Sequence, residues 1–383
     1  MLAAVVLSVG ILAACNGGPA QLPDPSRVHS SELHSFRVEA VAEGLEHPWS
    51  LAFLSEEEAL VTERPGRLSR VDLATGERRL VTGVPEVAHT GQGGLLDVAI
   101  RPDYEENGWV YLTYAASGSG GYATHLGRGR LEGNNLTDFQ VLLVADPFVS
   151  GGRHFGSRLL FDDEGRLFMT VGDRGERDRA QDPSDLLGAT LRLTDEGGVP
   201  ENNPFAAPGR TRSGEPRPEI YSYGHRNSQG MALHPETGRL WQHEHGPRGG
   251  DEINLPEPGG NFGWPLASYG REYLTRRAIG PDPDEQEGIV PPVHYWEDSL
   301  APSGMAFYSG TSFPDWEGDL FIGSLARERL SRLELEGEEV VGEEPLLQEM
   351  GWRVRDVRTG PDGNLYLLVD ASVAPMVRLV PEE

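Results

Sequence analysis

The stretch Arg158-Leu159-Leu160-Phe161-Asp162-Asp163-Glu164-Gly165-Arg166-Leu167-Phe168 carries the fold: an apolar run, a turn of acids and glycine, and a second run opening Gly-x-Leu-aromatic. Two short apolar runs around such a turn read as paired strands. The phrase, or a close variant, occurs six times. Its first strands are Trp49–Phe53, Leu95–Ile100, Arg158–Phe161, Gly230–Leu233, Gly304–Phe307 and Val354–Arg358. Its second strands are Ala59-Leu60-Val61, Gly108–Tyr111, Gly165–Phe168, Gly238–Trp241, Gly318–Phe321 and Gly363–Tyr366. Further β-like runs follow, among them Leu68–Val71, Leu191–Leu193 and Leu330–Leu333, while helical periodicity is scarce. Six repeats of about 45 to 80 residues, each with three or four strands, predict an all-β chain folded as a six-bladed β-propeller. A pair of β-sandwiches would not need six copies of one phrase. Radial repetition also answers the length, because small cores between blades replace one oversized core.

Composition narrows the chemistry. The 383 residues carry 33 basic and 60 acidic side chains, a formal charge of -27, so a phosphate backbone is a poor partner and no nucleic acid is expected. There is no lysine, which excludes Schiff-base catalysis and a Walker-type phosphate loop. Any anion must be held by Arg, His or backbone N–H. The single cysteine, Cys15, has no internal disulfide partner. It follows the apolar run Leu2–Ala14 and the small residues Ala13-Ala14, the pattern of a lipoprotein signal. That run is too short to span a bilayer as a helix. The expected organisation is a signal peptide over 1–14, a flexible Pro/Gly/Ser/Asn-rich tether over 15–31 and the propeller body over 32–383. Such a protein is exported as a periplasmic or cell-surface lipoprotein and meets the membrane only through a lipid on Cys15.

In a propeller, segments just ahead of each first strand converge at one mouth. Here they read Gly91-Gln92-Gly93-Gly94, Arg153-His154-Phe155-Gly156, Gly224-His225-Arg226-Asn227-Ser228-Gln229 and Trp352-Arg353-Val354-Arg355. Strand turns rarely need His, Arg, Asn and Gln together. Convergent Arg, Asn and Gln beside one His point to a planar anionic ligand next to a proton acceptor.

With Val171-Gly172-Asp173-Arg174-Gly175, His243-Glu244-His245-Gly246-Pro247 and Gly259-Gly260-Asn261-Phe262-Gly263-Trp264-Pro265, these segments resemble the pyrroloquinoline quinone (PQQ)-dependent glucose/sorbosone dehydrogenases, nearest the aldose sugar dehydrogenase branch. The likeness runs from about Val38 to Leu379. It implies a propeller holding PQQ and Ca2+ at one mouth, with soluble aldose sugars as substrates and a quinone or other electron acceptor. It further implies that His154 removes the C1 hydroxyl proton while hydride passes to the quinone C5, and that Asp173 orients His154. Gln92, Arg226 and Asn227 would contact the cofactor or the reacting oxygen, Arg353 and Arg355 the cofactor carboxylates, and Ser268 the cofactor more loosely. Main-chain oxygens of Gly246 and Pro247 would hold the calcium at the quinone; Glu252, the Phe262 carbonyl and Tyr273 would serve a second ion. Where the family places lysine after Gly-x-Leu, this chain has Gly323-Ser324-Leu325-Ala326-Arg327, so Arg327 is expected to take over that contact.

Plainer readings compete at several positions. His243 and His245 share one strand face and could ligate zinc, but no third ligand stands at suitable spacing. The acidic run from Asp173 to Asp185 lacks the EF-hand order, and Ser117-Gly118-Ser119-Gly120-Gly121 lacks a βαβ context. The stretch Arg271–Pro292 reads as a long excursion over the mouth. A calcium-dependent sugar-lactone hydrolase on a similar propeller, or a cell-surface binding module with a structural His154, are the alternatives to a dehydrogenase.

Overall fold

The computed structural model describes residues 18–206 and 214–382, so the signal segment and Cys15 lie outside the described residues. Six antiparallel sheets hold nearly all the regular structure. Blades 1 to 5 are built from consecutive strands that start at Pro48, Leu95, Leu159, Ser228 and Pro302. Blade 6 has its inner strands at Val354–Thr359, Leu365–Val369 and Ala374–Pro381, and takes its next strand from the other end of the chain, Ser35–Leu45. That pairing, with Val38 opposite Leu379, clasps the ring shut. The innermost strands touch one another in ring order, blade 6 meeting blade 1.

Burial follows position in the blade. Second strands such as Leu167–Val171 and Leu365–Val369 are buried at every residue, because neighbouring blades cover both faces. They therefore read as unbroken apolar runs. Outermost strands such as Glu339–Leu346 alternate between exposed and half-buried residues along most of their length, as one solvated face demands. Each junction between blades has its own apolar cluster. Leu60, Leu68 and Val110 pack between blades 1 and 2, for example, and Phe313, Trp316, Phe321 and Val357 between blades 5 and 6.

The expected tether is corrected over its described part. Val28–Ser30 forms a further strand on Ser35–Leu45, the Ala20 N–H donates to the Val373 carbonyl at 2.8 Å, and Trp352 Nε1–H to the Gln21 carbonyl at 2.9 Å. Composition suggested a linker, but backbone hydrogen bonds to blade 6 hold residues 20–30 in place. The excursion out of blade 4, between Asp251–Asn254 and His294–Trp296, runs beside the outermost strand of blade 3, Ile220–Tyr223, and reaches the mouth, where Tyr273 meets Arg226.

Candidate active site

Strand direction decides which residues meet. First strands begin at the mouth and second strands end there, so each blade delivers two segments to the same rim. In blade 3 these are Arg153–Ser157 and Gly172–Gly175. His154 Nδ1–H donates to Asp173 Oδ1 at 2.6 Å, and Asp173 also accepts from Gly175 N–H at 2.7 Å and Trp264 Nε1–H at 2.8 Å. With Nδ1 committed as donor, Nε2 is left as the free acceptor. His154 sits at φ 54, a conformation L-residues seldom adopt, and its N–H donates to Gln92 Oε1 at 2.6 Å. Gly172 is required opposite it, because a Cβ there would stand 2.1 Å from the His154 carbonyl oxygen. Burial, and then the Arg226 charge, push the His154 imidazole down to about 4 against the pull of Asp173. Burial works to raise Asp173, yet the His154 bond, the Arg226 charge and the Gly175 N–H hold it below the usual carboxylate range. The pair is thus a neutral imidazole on an anionic carboxylate at neutral pH.

Beside it an axial cavity is lined by Trp49, Arg64, Gln92, Asn227, Arg353 and Arg355, among others. Asp370 anchors the cationic wall: it accepts from Arg353 at 3.1 Å, from Arg355 at 3.5 Å and from His47 Nδ1–H at 2.9 Å. Burial would raise Asp370, but His47 and the three arginines hold it far below the carboxylate range, while burial lowers Arg355 to about 10. Arg64 donates to the Gly91 carbonyl at 2.9 Å, and the buried Nε atoms of Arg64 and Arg355 have no partner among the described residues. A wall of three arginines set against one carboxylate fits a polyanion. Asn227 Oδ1 accepts from Gly156 N–H at 3.2 Å, which ties it to the same rim. Below, Arg158 plugs the axis between Asp97 at 3.2 Å and Asp356 at 3.1 Å.

A second, smaller recess is lined by Arg226, Glu244, Gly246, Glu252, Phe262 and Ser268, with others. Burial, and then the Glu244 charge, push Glu252 well above the usual range. Asn254 donates to Glu244 at 3.1 Å and to Glu252 at 3.4 Å but cannot neutralise two buried carboxyls. Gly246 packs so tightly that a Cβ would lie 2.1 Å from the Gly249 carbonyl oxygen. Carboxylate and main-chain oxygens together suit a hard cation such as calcium. Among the described residues no group of three or more His, Cys, Asp or Glu forms a metal cage.

Three expected contacts fall elsewhere. Ser268 lies in the Glu252 recess, its Oγ accepting from Gly270 N–H at 3.0 Å, and not on the arginine wall. Tyr273 is half exposed and its hydroxyl accepts from Arg226 Nη2 at 3.3 Å, outside the recess expected to hold the second ion. Arg327 turns outward to Asp298 at 3.0 Å and to the Ser299 carbonyl at 3.3 Å, in the turn that follows Leu320–Ser324. His245 lines the axial cavity and its Nε2–H donates to the Pro302 carbonyl at 2.7 Å. Arg64, Asp370 and Trp264 are additional site residues. Arg64 and Asp370 stand directly after second strands, in Glu63-Arg64-Pro65-Gly66 and Val369-Asp370, a placement as informative as the segments ahead of first strands.

A propeller whose mouth joins a poised imidazole to a cationic axial cavity has the makings of an enzyme of the propeller class. Residues 45–378 match the Glucose / Sorbosone dehydrogenase family. The aldose sugar dehydrogenase YliI of Escherichia coli is 43% identical over 348 residues, covering 90% of this chain and 92% of its own. A crystal structure of the soluble aldose sugar dehydrogenase from E. coli in the apo-form superposes with a TM-score of 0.86, covering 91% of this chain and 100% of that one at 43% identity. The PQQ-bound form of aldose sugar dehydrogenase from Streptomyces coelicolor gives 0.71 at 28% identity, covering 94% and 100%. The chain belongs to the glucose/sorbosone dehydrogenase family and is an oxidoreductase acting on sugar CH–OH groups.

Proposed function

We propose that the protein oxidises soluble aldoses at C1 to lactones with PQQ and calcium, and passes the electrons to a quinone or other acceptor. The observation that carries this reading is the His154–Asp173 pair, which leaves Nε2 as acceptor and is tied through the His154 N–H to Gln92, in the lining of a cavity walled by Arg64, Arg353 and Arg355. Support for the cofactor comes from the Streptomyces relative, described as PQQ-bound, and from the fit of three arginines to a tricarboxylate. When bound, PQQ would supply a quinone carbon able to accept hydride, with calcium as the Lewis acid. The chain's own work is positioning and proton removal. Arg353 and Arg355, held by Asp370, would grip carboxylates; Gln92 and Asn227 would bind polar edges. His154 Nε2 takes the C1 hydroxyl proton, and Asp173 keeps the ring in the accepting tautomer and stabilises the imidazolium formed. Arg226, beside His154, favours negative charge on the reacting oxygen. Gly246 and Pro247 carbonyls would hold the ion at the cofactor, and Glu252 with the Phe262 carbonyl a second one. We place the protein outside the cytoplasm, tethered by a lipid on Cys15.

The test is reconstitution. Apo-protein is given calcium and PQQ, then glucose and a dye acceptor; dye reduction that requires both additions is the expected result. Lactone cleavage without PQQ would establish the hydrolase instead, and inertness in both assays the binding module.

A further inference from the structure

The rim that carries the site is also where the N-terminal chain leaves the fold. Ala20 is bonded to Val373, three residues past Asp370, and Gln21 to Trp352, the residue before Arg353. Gly18 is exposed with open space around it. Cys15 stands three positions before Gly18 in the sequence.

On the same face the blade 4 excursion ends in a finger. It is closed by an antiparallel bridge between Arg271 and Ala278 and by the hydrogen bond from Glu272 N–H to the Arg277 carbonyl at 2.9 Å. Leu274 at its tip is 87% exposed, and Arg271, Arg276 and Arg277 around it are exposed. Glu272 is committed to Arg177 at 2.7 Å. On a chain of charge -27, an exposed leucine ringed by arginines is out of character. Leu22, Leu266, Tyr273 and Val373 are exposed on this face too; among the described residues, apart from Leu33 on the opposite side, the remaining exposed large apolar side chains lie on outermost strands. An apolar tip with arginines that snorkel to phosphates is the composition of a bilayer-interface anchor.

We propose that the mouth face docks on an anionic phospholipid bilayer, with Leu274 at the boundary between headgroups and acyl chains and Arg276 and Arg277 on lipid phosphates. The inference rests on the reading of Cys15 as a lipid anchor and adds an orientation to it: the catalytic mouth faces the membrane, with sugar arriving from the side. The excess negative charge of the chain favours that pose, since it turns this arginine-rich tip towards the lipid.

The acylated full chain, in which Cys15 is blocked, is reconstituted on phosphatidylcholine vesicles with about one-third phosphatidylglycerol. An environment-sensitive fluorophore is attached at Leu274→Cys or, on the opposite face, at Leu33→Cys. The expected result is a blue shift and quenching of about twofold or more by nitroxide lipids at position 274 only, lost in Arg276→Glu/Arg277→Glu. Equal quenching at both positions, or stronger quenching at 33, overturns the docking. Dye-linked sugar oxidation on the same vesicles separates the two readings: turnover without quenching at 274 removes the docking alone, and quenching without turnover removes the dehydrogenase alone.

Discussion

His154 and His225 stand on adjacent blades at one mouth, and each has its Nδ1 bonded to a carboxylate. His225 pairs with Glu244 at 2.8 Å, but its Nε2 also contacts Ser222 Oγ at 2.9 Å and its ring stacks on Phe262 at 4.7 Å. It is wholly buried, whereas the His154 side chain keeps 12% of its surface open. Both nitrogens of His225 are occupied, while His154 has only Nδ1 bonded and keeps Nε2 without a partner among the described residues. A carboxylate partner therefore does not make a base; an unoccupied second nitrogen does.

The sharpest way to break this contrast is to truncate both rings. His154→Ala is expected to lower turnover about 10²–10⁴-fold with the fold intact, read by dye reduction and circular dichroism. His225→Ala should do the reverse, costing about 2–4 kcal/mol of stability in denaturant titration while turnover per folded molecule falls less than about tenfold. Equal losses of activity in both would remove the distinction.

A finer probe is pH. The folded His154 protonates near 4 and a free imidazole near 6.5, so between these values the unfolded chain binds more protons and stability rises with pH. His154→Ala should flatten that slope by up to about 1.4 kcal/mol per pH unit. Unchanged slopes would show that His154 titrates normally. The same depression predicts that the acid limb of turnover lies near pH 4.

The smallest expected effect is at Arg327, set against Arg355. Arg355→Ala should weaken cofactor binding about 10–100-fold by titration, whereas Arg327→Ala should change it less than about twofold, since Arg327 faces Asp298. A large effect at Arg327 would return it to the wall.

The sequence made the inner strands legible because each is a local phrase: an apolar run, a turn, and Gly-x-Leu-aromatic. His154, Gln92, Asn227 and Arg353 were legible through the rule that segments ahead of first strands converge. Arg64 and Asp370 were not, because they depend on the antiparallel return of the second strand to the same rim. The pairing of Ser35–Leu45 with Ala374–Pro381 was equally hidden, since nothing local announces a partner more than three hundred residues away. Ser268 and Arg327 were misplaced because both stand outside strands, Ser268 in the long excursion and Arg327 in the turn after Leu320–Ser324, where no period fixes which way a side chain points.

That long-range pairing also sets a timetable. A chain delivered from its N-terminal end must hold Ser35–Leu45 uncommitted until the last strand emerges, so the ring stays open through nearly the whole of synthesis. Its arginine wall, drawn from blades 1 and 6, is complete only after that final latch, which leaves the cofactor no finished berth on any shortened chain.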